Sequence, residues 1–453
     1  MKTIRKSFHA CASERGYALP SMLVLVTILS LVAASVISLQ YLQKQQVLME
    51  VAKVKAEYAA ESGIATTLSR CRSAADVSLF LSGKKQYDAY GDGSESRVEV
   101  EPWGLFLLVK SEGSFRTAKA VRTALVADRP SKLFENALVF ANLSHQLILT
   151  GTSHIKGDIV IGPQGVTTGS MRDRQTPARM PVEGRIRKEA DLSLPNPQAT
   201  QLFEIMKRYR DLFPGDFGGT EPHALSGEIP DSVQHITLSG DVSVDAHLTR
   251  RNSPLYVAIQ GRATVRPKAA LQGLIAIVAS KGITISGGAV VENAIFVSGT
   301  SIDIQRSARV RGQFIAPSIV VYDGAQALYP SLVISALTAR FSTAVQSISV
   351  EDGARVEGFV ALLSTGNSEQ TDSVVVIKPS ATVIGALHSD NRITLDGTVI
   401  GTVTTRDFYF YEAPTTYYGW LRSGRIDRTK LPSGFLLPPG FSDEMKLKVL
   451  DWI

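Results

Sequence analysis

Residues 275–304 read IAIVASKGITISGGAVVENAIFVSGTSIDI. Short β-branched runs alternate here with Ser, Gly and Asn turn signals. The runs belong to two interleaved series. One starts at Thr264, Ile283, Ile302 and Ile319, at steps of 19, 19 and 17 residues. The other starts at Ile275, Ile295, Phe314 and Leu332, at steps of 20, 19 and 18. A super-period of this length is what one coil of a β-helix needs. Each strand stacks on its copy in the next coil at about 4.8 Å, and inward Ile and Val side chains join into one core. A β-sandwich is the competing arrangement, since some units repeat at the 8–12 residues usual for it. A left-handed hexapeptide helix would show a six-residue beat, which is absent.

The pattern continues at Ile348, Val374 and Ile393, with a polar loop inserted over 364–373. Weaker copies sit at 147–149, 159–161, 236–238 and 256–258. The solenoid is therefore placed over 133–406. An excursion from an early coil occupies 163–232, rich in Gly, Pro and Arg, with one helix expected over 198–213 ahead of Pro214-Gly215. The repeats of 264–361 are similar in texture to bactofilins and other polymer-forming β-helices. A solenoid has two open ends with unpaired backbone groups, and each needs cover. The preceding module is expected over the first end. A tail at 407–453, holding Phe408, Tyr409, Phe410, Tyr411, Tyr417, Tyr418 and Trp420, is expected over the second.

The chain begins differently. Residues 1–16 carry Lys2, Arg5, Lys6 and Arg15 against Glu14. Gly16 to Gln43 has no charge, and residues 22–39 are almost wholly apolar. About 18–20 such residues span a bilayer as a helix, and the leading positive charge places the N-terminus in the cytoplasm. A secretory signal cleaved after Ala34 is one reading; a retained helix is the other. Leu42, Val47, Val51, Val54, Tyr58 and Ile64 carry a helical spacing onward, mostly between polar residues, which favours retention. Gly63 is expected to end or loosen this rod. Residues 71–132 then read as a small β-rich module. Its strand signals lie at 96–101 (SRVEVE), 105–110 and 118–126, and its turns at Gly91-Asp92-Gly93 and Glu112-Gly113.

Arg15-Gly16-Tyr17-Ala18-Leu19-Pro20 ahead of the apolar run resembles the class III signal of type IV pilins and type II secretion pseudopilins. Ala59-Ala60-Glu61-Ser62-Gly63-Ile64 resembles a segment of minor pilins. The resemblance covers residues 1–70. It implies a prepilin peptidase cutting after Gly16, with Tyr17 as the mature end, and a leader over 1–16. It also implies a pilin-like helix over 17–70 in the bacterial inner membrane, with the bulk periplasmic or extracellular, and other pilin-like subunits as partners. The fifth mature residue, usually Glu in that family, is Ser21 here. In the family that carboxylate meets a neighbour's terminal ammonium, and a charge in lipid is tolerated only when paired. Ser21 points to a tip, initiator or anchored role rather than to a bulk filament subunit.

Chemistry-bearing residues are sparse. Asp303, Asp323, Asp352 and Asp396 are the acids a polysaccharide-cleaving β-helix would use, yet three of them precede Gly or share its turn, which is ordinary turn chemistry. The seven histidines, His388 among them, show no metal-ligand spacing. Two cysteines form no scaffold; Cys71 reads as a buried apolar residue. No catalytic, cofactor or metal residue is assigned. The expectation is a structural protein, not an enzyme, with envelope polysaccharide as a further partner. Of 453 residues, 48 are Lys or Arg and 42 Asp or Glu, giving +6. Half of that excess lies in residues 1–16. The remaining basic clusters, Arg185-Ile186-Arg187-Lys188 and Lys207-Arg208-Tyr209-Arg210, lack the stacking aromatics of a nucleic-acid face, and no nucleic-acid partner is expected.

Overall fold

A computed structural model describes residues 18–453 except 82, 89, 172–174, 195–222, 226–228, 337–344, 365–371 and 442–444. The fold is mainly β. It has one long N-terminal helix, a small antiparallel sheet and a parallel β-solenoid.

Helix α1 spans Ala18–Arg70, 53 residues, or about 80 Å at 1.5 Å per residue. Pro20 lies in its first turn, where no helical N–H is lost. The helix does not end at Gly63. That glycine lies against the sheet, where a Cβ would come within 2.7 Å of both Ser96 Oγ and Ser111 Oγ. Close packing here outweighs the roughly 1 kcal/mol that Gly costs a helix. A second helix, α2 (Ala74–Leu81), stands at the start of the stretch that reads as β-rich. Its signal is a capping box. Asp76 N–H donates to Ser73 Oγ (3.2 Å), and the Asp76 carboxylate accepts from Arg72 N–H (3.1 Å) and Ser73 Oγ (2.9 Å).

Strands β1 (Lys85–Asp88), β2 (Ser94–Trp103), β3 (Phe106–Phe115) and β4 (Ala118–Asp128) form an antiparallel meander. Glu112-Gly113 is not a turn but lies inside β3. A Cβ at Gly113 would overlap the Ala56 carbonyl oxygen of α1, so the glycine lets the helix settle on the strand. The tail closes this sheet rather than the solenoid. Leu447–Trp452 pairs antiparallel with β4.

Each solenoid coil has three parallel faces. Face A is a short strand such as Ile283–Ile285; faces B and C are the two limbs of a bent strand such as Val290–Ser298. Ile283–Ile285 pairs with both Ala263–Val265 and Ser301–Ile304, and the stack continues in both directions. Between faces A and B the same turn recurs. The N–H groups of Ala269, Ala289, Ala308, Ala325 and Ala354 each donate to the carbonyl three residues back, at 2.9–3.2 Å. The third residue of each turn (Lys268, Gly288, Ser307, Gly324, Gly353) has φ between +63° and +84°, as a type II turn demands. The alanines are all buried at the corner of the core.

Three corrections follow from the stacking. First, of the four early copies 236–238 and 256–258 lead into the main coils as expected, while 147–149 and 159–161 stack beyond the last of them. Leu138–Phe140 pairs with 403–405, Ile159–Ile161 with Leu138–Phe140, and Ile186–Lys188 with Ile159–Ile161. The chain enters near one end and builds outward over 138–188; the described strands from 223–225 onward start at the opposite end and climb back to meet that beginning. One rung takes face B from Arg425–Asp427 and face C from Leu138–Phe140. Second, 163–188 completes the outer rungs instead of forming an excursion; the helix expected at 198–213 lies outside the described residues.

Third, neither the module nor the tail covers an end. The module and the tail from 431 onward cover the outside of face C, while 420–427 builds faces A and B of a rung. Face C is apolar on its outer side as well as its inner, as strands buried on both faces are. Outward-facing Tyr256, Leu274, Ile295, Ile315 and Phe359 pack against Trp103, Phe106, Leu108 and Leu125 of the module and Phe435, Leu437 and Phe441 of the tail. The basic cluster blunts the outer end. Lys188 stands in register with the inward Ile161 and lies across Gly165. Arg185 pairs with Asp158 (2.6 Å), and Arg187 donates to Asn136 Oδ1 (2.7 Å). Near the other end Arg250, 1% exposed, donates to Asp231 Oδ1 (2.8 Å) and to the carbonyls of Ile229 and Pro230.

Candidate functional site

The feature with the clearest chemical consequence is the free half of α1. Leu19, Leu23, Leu29, Leu31 and Ile37 are each more than half exposed, and no described part of the chain packs on this stretch. Three of its hydroxyls bond within the helix. Thr27 Oγ1 donates to the Leu23 carbonyl (2.6 Å), Ser30 Oγ to that of Val26 (2.8 Å), and Ser35 Oγ to that of Leu31. An apolar rod whose hydroxyls bond its own backbone is suited to hydrocarbon, where each unpaired polar group costs several kcal/mol. By length and composition this helix is able to cross a membrane.

The other half of α1 is a mount. Ala52, Ala56, Ala59, Ala60 and Ile64 recur at helical spacing and are buried against the sheet. The Ala-Ala-Glu-Ser-Gly segment is thus a packing device of small residues and a notch. Arg122 on β4 meets Glu57 (3.2 Å) and Glu61 (3.5 Å). Lys55 pairs with Asp92 (2.7 Å) and lies 4.5 Å over the Phe115 ring. The Lys55 hydrogen bond, followed by that of Ser94, holds the Asp92 carboxyl down at about 2. Gly16 and Tyr17, the expected processing residues, lie outside the described residues.

The four aspartates do not converge. Asp323 pairs with Arg306 (2.8 Å), Asp352 accepts from Ser380 N–H and Oγ (3.0 Å each), and Asp396 takes a two-pronged bond from Arg422. Asp303 stands on the outer side of face A between Thr284 and Val320, its carboxyl raised by burial. Among the described residues, no three of His, Cys, Asp and Glu are gathered as a metal site would require. Cys71 is buried, and burial pushes its thiol up to about 11, far from a reactive thiolate.

His388 is buried on the outer side of face C among Phe134, Phe359 and Phe441. Its Nδ1 lies 2.7 Å from Thr404 Oγ1, Nε2 has no partner, and burial holds the imidazole down at about 3. It is a neutral packing group. The aromatic tail forms a hairpin of Thr398–Glu412 with Thr415–Tyr418, leaning from the flank of the coil instead of lying over an end. Its rings already hold cations. Arg392 lies 5.0 and 5.1 Å from the Tyr409 and Tyr418 centroids, and Arg422 4.7 Å from Phe410. The cluster Lys207-Arg208-Tyr209-Arg210 lies outside the described residues.

No family model matches the sequence, and no curated protein matches it. Among solved structures, the crystal structure of the competence-associated pilin ComZ from Thermus thermophilus matches at 10% identity over 89% of this chain and 97% of that one, with a TM-score of 0.21.

Proposed function

We propose that this chain is a membrane-anchored structural subunit of minor-pilin or pseudopilin type, which displays a rigid β-helix outside the inner membrane. The observation that carries the reading is the division of labour along α1. Its first half is an exposed apolar rod with internally satisfied hydroxyls, and its second half is mounted through small residues on an antiparallel sheet. The leader motif at Gly16-Tyr17 supplies the sequence half of the argument. Ser21 in place of the usual Glu, and a solenoid carried on the flank of the sheet, favour a tip or initiator position over the repeating body of a filament. In this reading the aspartates are turn and ladder residues, and the chain works by assembly and presentation instead of catalysis.

The test is N-terminal mass spectrometry of the protein from its host, with and without prepilin peptidase. A mature end at Tyr17 that depends on the peptidase is expected. An end near Ser35, or an intact Met1, overturns the reading.

A further inference from the structure

The rung assembled from both parts of the chain marks a seam in the solenoid. On one side lie 398–427; on the other, 138–188. The ladder across it joins segments remote in sequence on all three faces. Face C pairs 403–405 with Leu138–Phe140, face A pairs Trp420–Leu421 with 148–149, and face B pairs Arg425–Asp427 with His154–Lys156. Side chains reinforce the seam. Phe140 stacks on Phe408 in the core (5.8 Å, 9°). His145 Nδ1 lies 3.1 Å from Asp407 Oδ2, and its ring stacks on Tyr418 at 5.4 Å. Asp407 Oδ1 accepts the Gly419 N–H (2.9 Å) and so ties the hairpin base to the same point.

We propose that residues 133–194 act as a built-in stopper, occupying a solenoid end that would otherwise accept a second copy of this chain. The end beneath the stopper is apolar, with Val399, Val403, Phe408, Leu421 and Ile426 all buried under it. Its parallel edges are in register for a coil of this very sequence, as the intrachain ladder demonstrates. The stopper's own outer edge has the opposite character: Arg185, Arg187 and Lys188 blunt it. An uncovered apolar strand edge invites pairing with another chain, and a charged one discourages it. The stopper joins coils that are remote in sequence, so the same contacts arise equally well from a second copy, as in domain exchange.

The test uses the full chain in detergent micelles, on a Cys11→Ser, Cys71→Ser background. Arg425→Cys and His154→Cys are placed in separate, differently tagged copies. These positions are partners in adjacent rungs, and neighbouring rungs are spaced suitably for a disulfide. His145→Ala loosens the clasp. Hydrogen exchange of 138–140 and 159–161 is expected to quicken about tenfold, the scale of one charge-assisted hydrogen bond. Exchange of 275–304 stays slow, reporting an intact fold. Interchain disulfide is then expected to form well above the level given by cysteines placed away from the seam. Quickened exchange without interchain disulfide overturns the proposal, and so does exchange at the seam that His145→Ala leaves unchanged.

Discussion

Gln313, on the outer side of solenoid face C, grips the backbone beside Leu105 at the β2–β3 turn. Its Oε1 accepts the Leu105 N–H (2.8 Å), and its Nε2 donates to the Trp103 carbonyl (2.8 Å). The turn between them is Gly104, at φ +59°, where a Cβ would overlap the Gln313 amide. A buried amide, 3% exposed, thus fixes the helix-bearing sheet to the solenoid in one register. Gln313→Ala strands the buried Trp103 carbonyl, at about 1–3 kcal/mol, and leaves the half-buried Leu105 N–H without its acceptor. The melting temperature should fall by several degrees, and limited proteolysis should begin at the junction between sheet and solenoid. Unchanged melting and cleavage would show that the apolar interface holds the two parts without the clamp.

The seat of α1 gives a second expectation. At Gly113 any Cβ meets the Ala56 carbonyl, which is helix backbone that yields only if the helix lifts. Gly113→Val should therefore release the sheet-mounted half of α1 at a cost of about 1–3 kcal/mol, the range of overpacked cores. Arg122→Ala, which removes only half-exposed pairs with Glu57 and Glu61, should cost under about 1 kcal/mol. Chemical denaturation of the two variants side by side, followed by circular dichroism, separates the steric contribution from the ionic one.

His388 predicts a loss of stability in acid. Its folded-state value near 3 lies below the ordinary 6.5. The unfolded chain takes up the proton as pH falls below 6.5, whereas the folded protein resists until about 3. Stability from this group is present above pH 6.5 and drains away across that interval, by up to about 1.4 kcal/mol per unit. His388→Gln should flatten the melting temperature against pH between 6.5 and 4. A variant with the native slope would locate the acid sensitivity elsewhere.

Asp390 works in the opposite sense. Burial raises its carboxyl to about 6, against the help of Ser364, whose N–H it accepts at 2.6 Å; its other oxygen has no partner. A raised carboxyl favours folding below its unfolded value of 3.8 and opposes it as pH rises through about 6. By pH 8 the charged form costs about 3 kcal/mol. Asp390→Asn keeps an acceptor for Ser364 and removes the charge. Its melting temperature should exceed the native one at pH 8 and match it near pH 4, as differential scanning calorimetry at the two pH values would reveal.

Much of this architecture is legible in the residues, and the illegible parts have physical reasons. ITI at 283–285 alternates and makes the open face A. IAIVA at 275–279 does not alternate, and that continuous run is the signature of face C, buried on both sides. A run buried on both sides requires cover on its outer flank, which is where the module and the end of the tail lie. The alanine before each B limb, from Ala269 to Ala381, is a ladder visible at fixed phase in the repeats. Ser73-Ala-Ala-Asp76 announces α2. Stack order is another matter. Periodicity identifies 138–140 and 159–161 as rungs, but any rung of Ile and Val fits above any other, so local pattern holds no order. The Gln313 clamp is equally silent, because its partners are backbone atoms some 210 positions away.

The blunted outer end supplies the last expectation. Lys188 occupies an inward register where the rungs below place Ile161 and Phe140, and its stem crosses the core mouth to Gly165. A lysine at such a place buries its methylenes and keeps its ammonium in water. Lys188→Ile, combined with Arg187→Thr and Arg185→Thr, leaves a β-branched edge without charge. The triple variant loses the pair of Arg185 with Asp158, which contributes little to stability at a solvent-accessible site, and the bond from Arg187 to the buried Asn136, at about 1.5–3 kcal/mol. Folding should therefore be retained, with melting within a few degrees of the native protein. Self-association should rise with concentration in sedimentation experiments, because the edge now offers unpaired N–H and carbonyl groups beside apolar side chains. If the variant stays monodisperse over the range where the native protein does, charge is not what keeps this end from pairing.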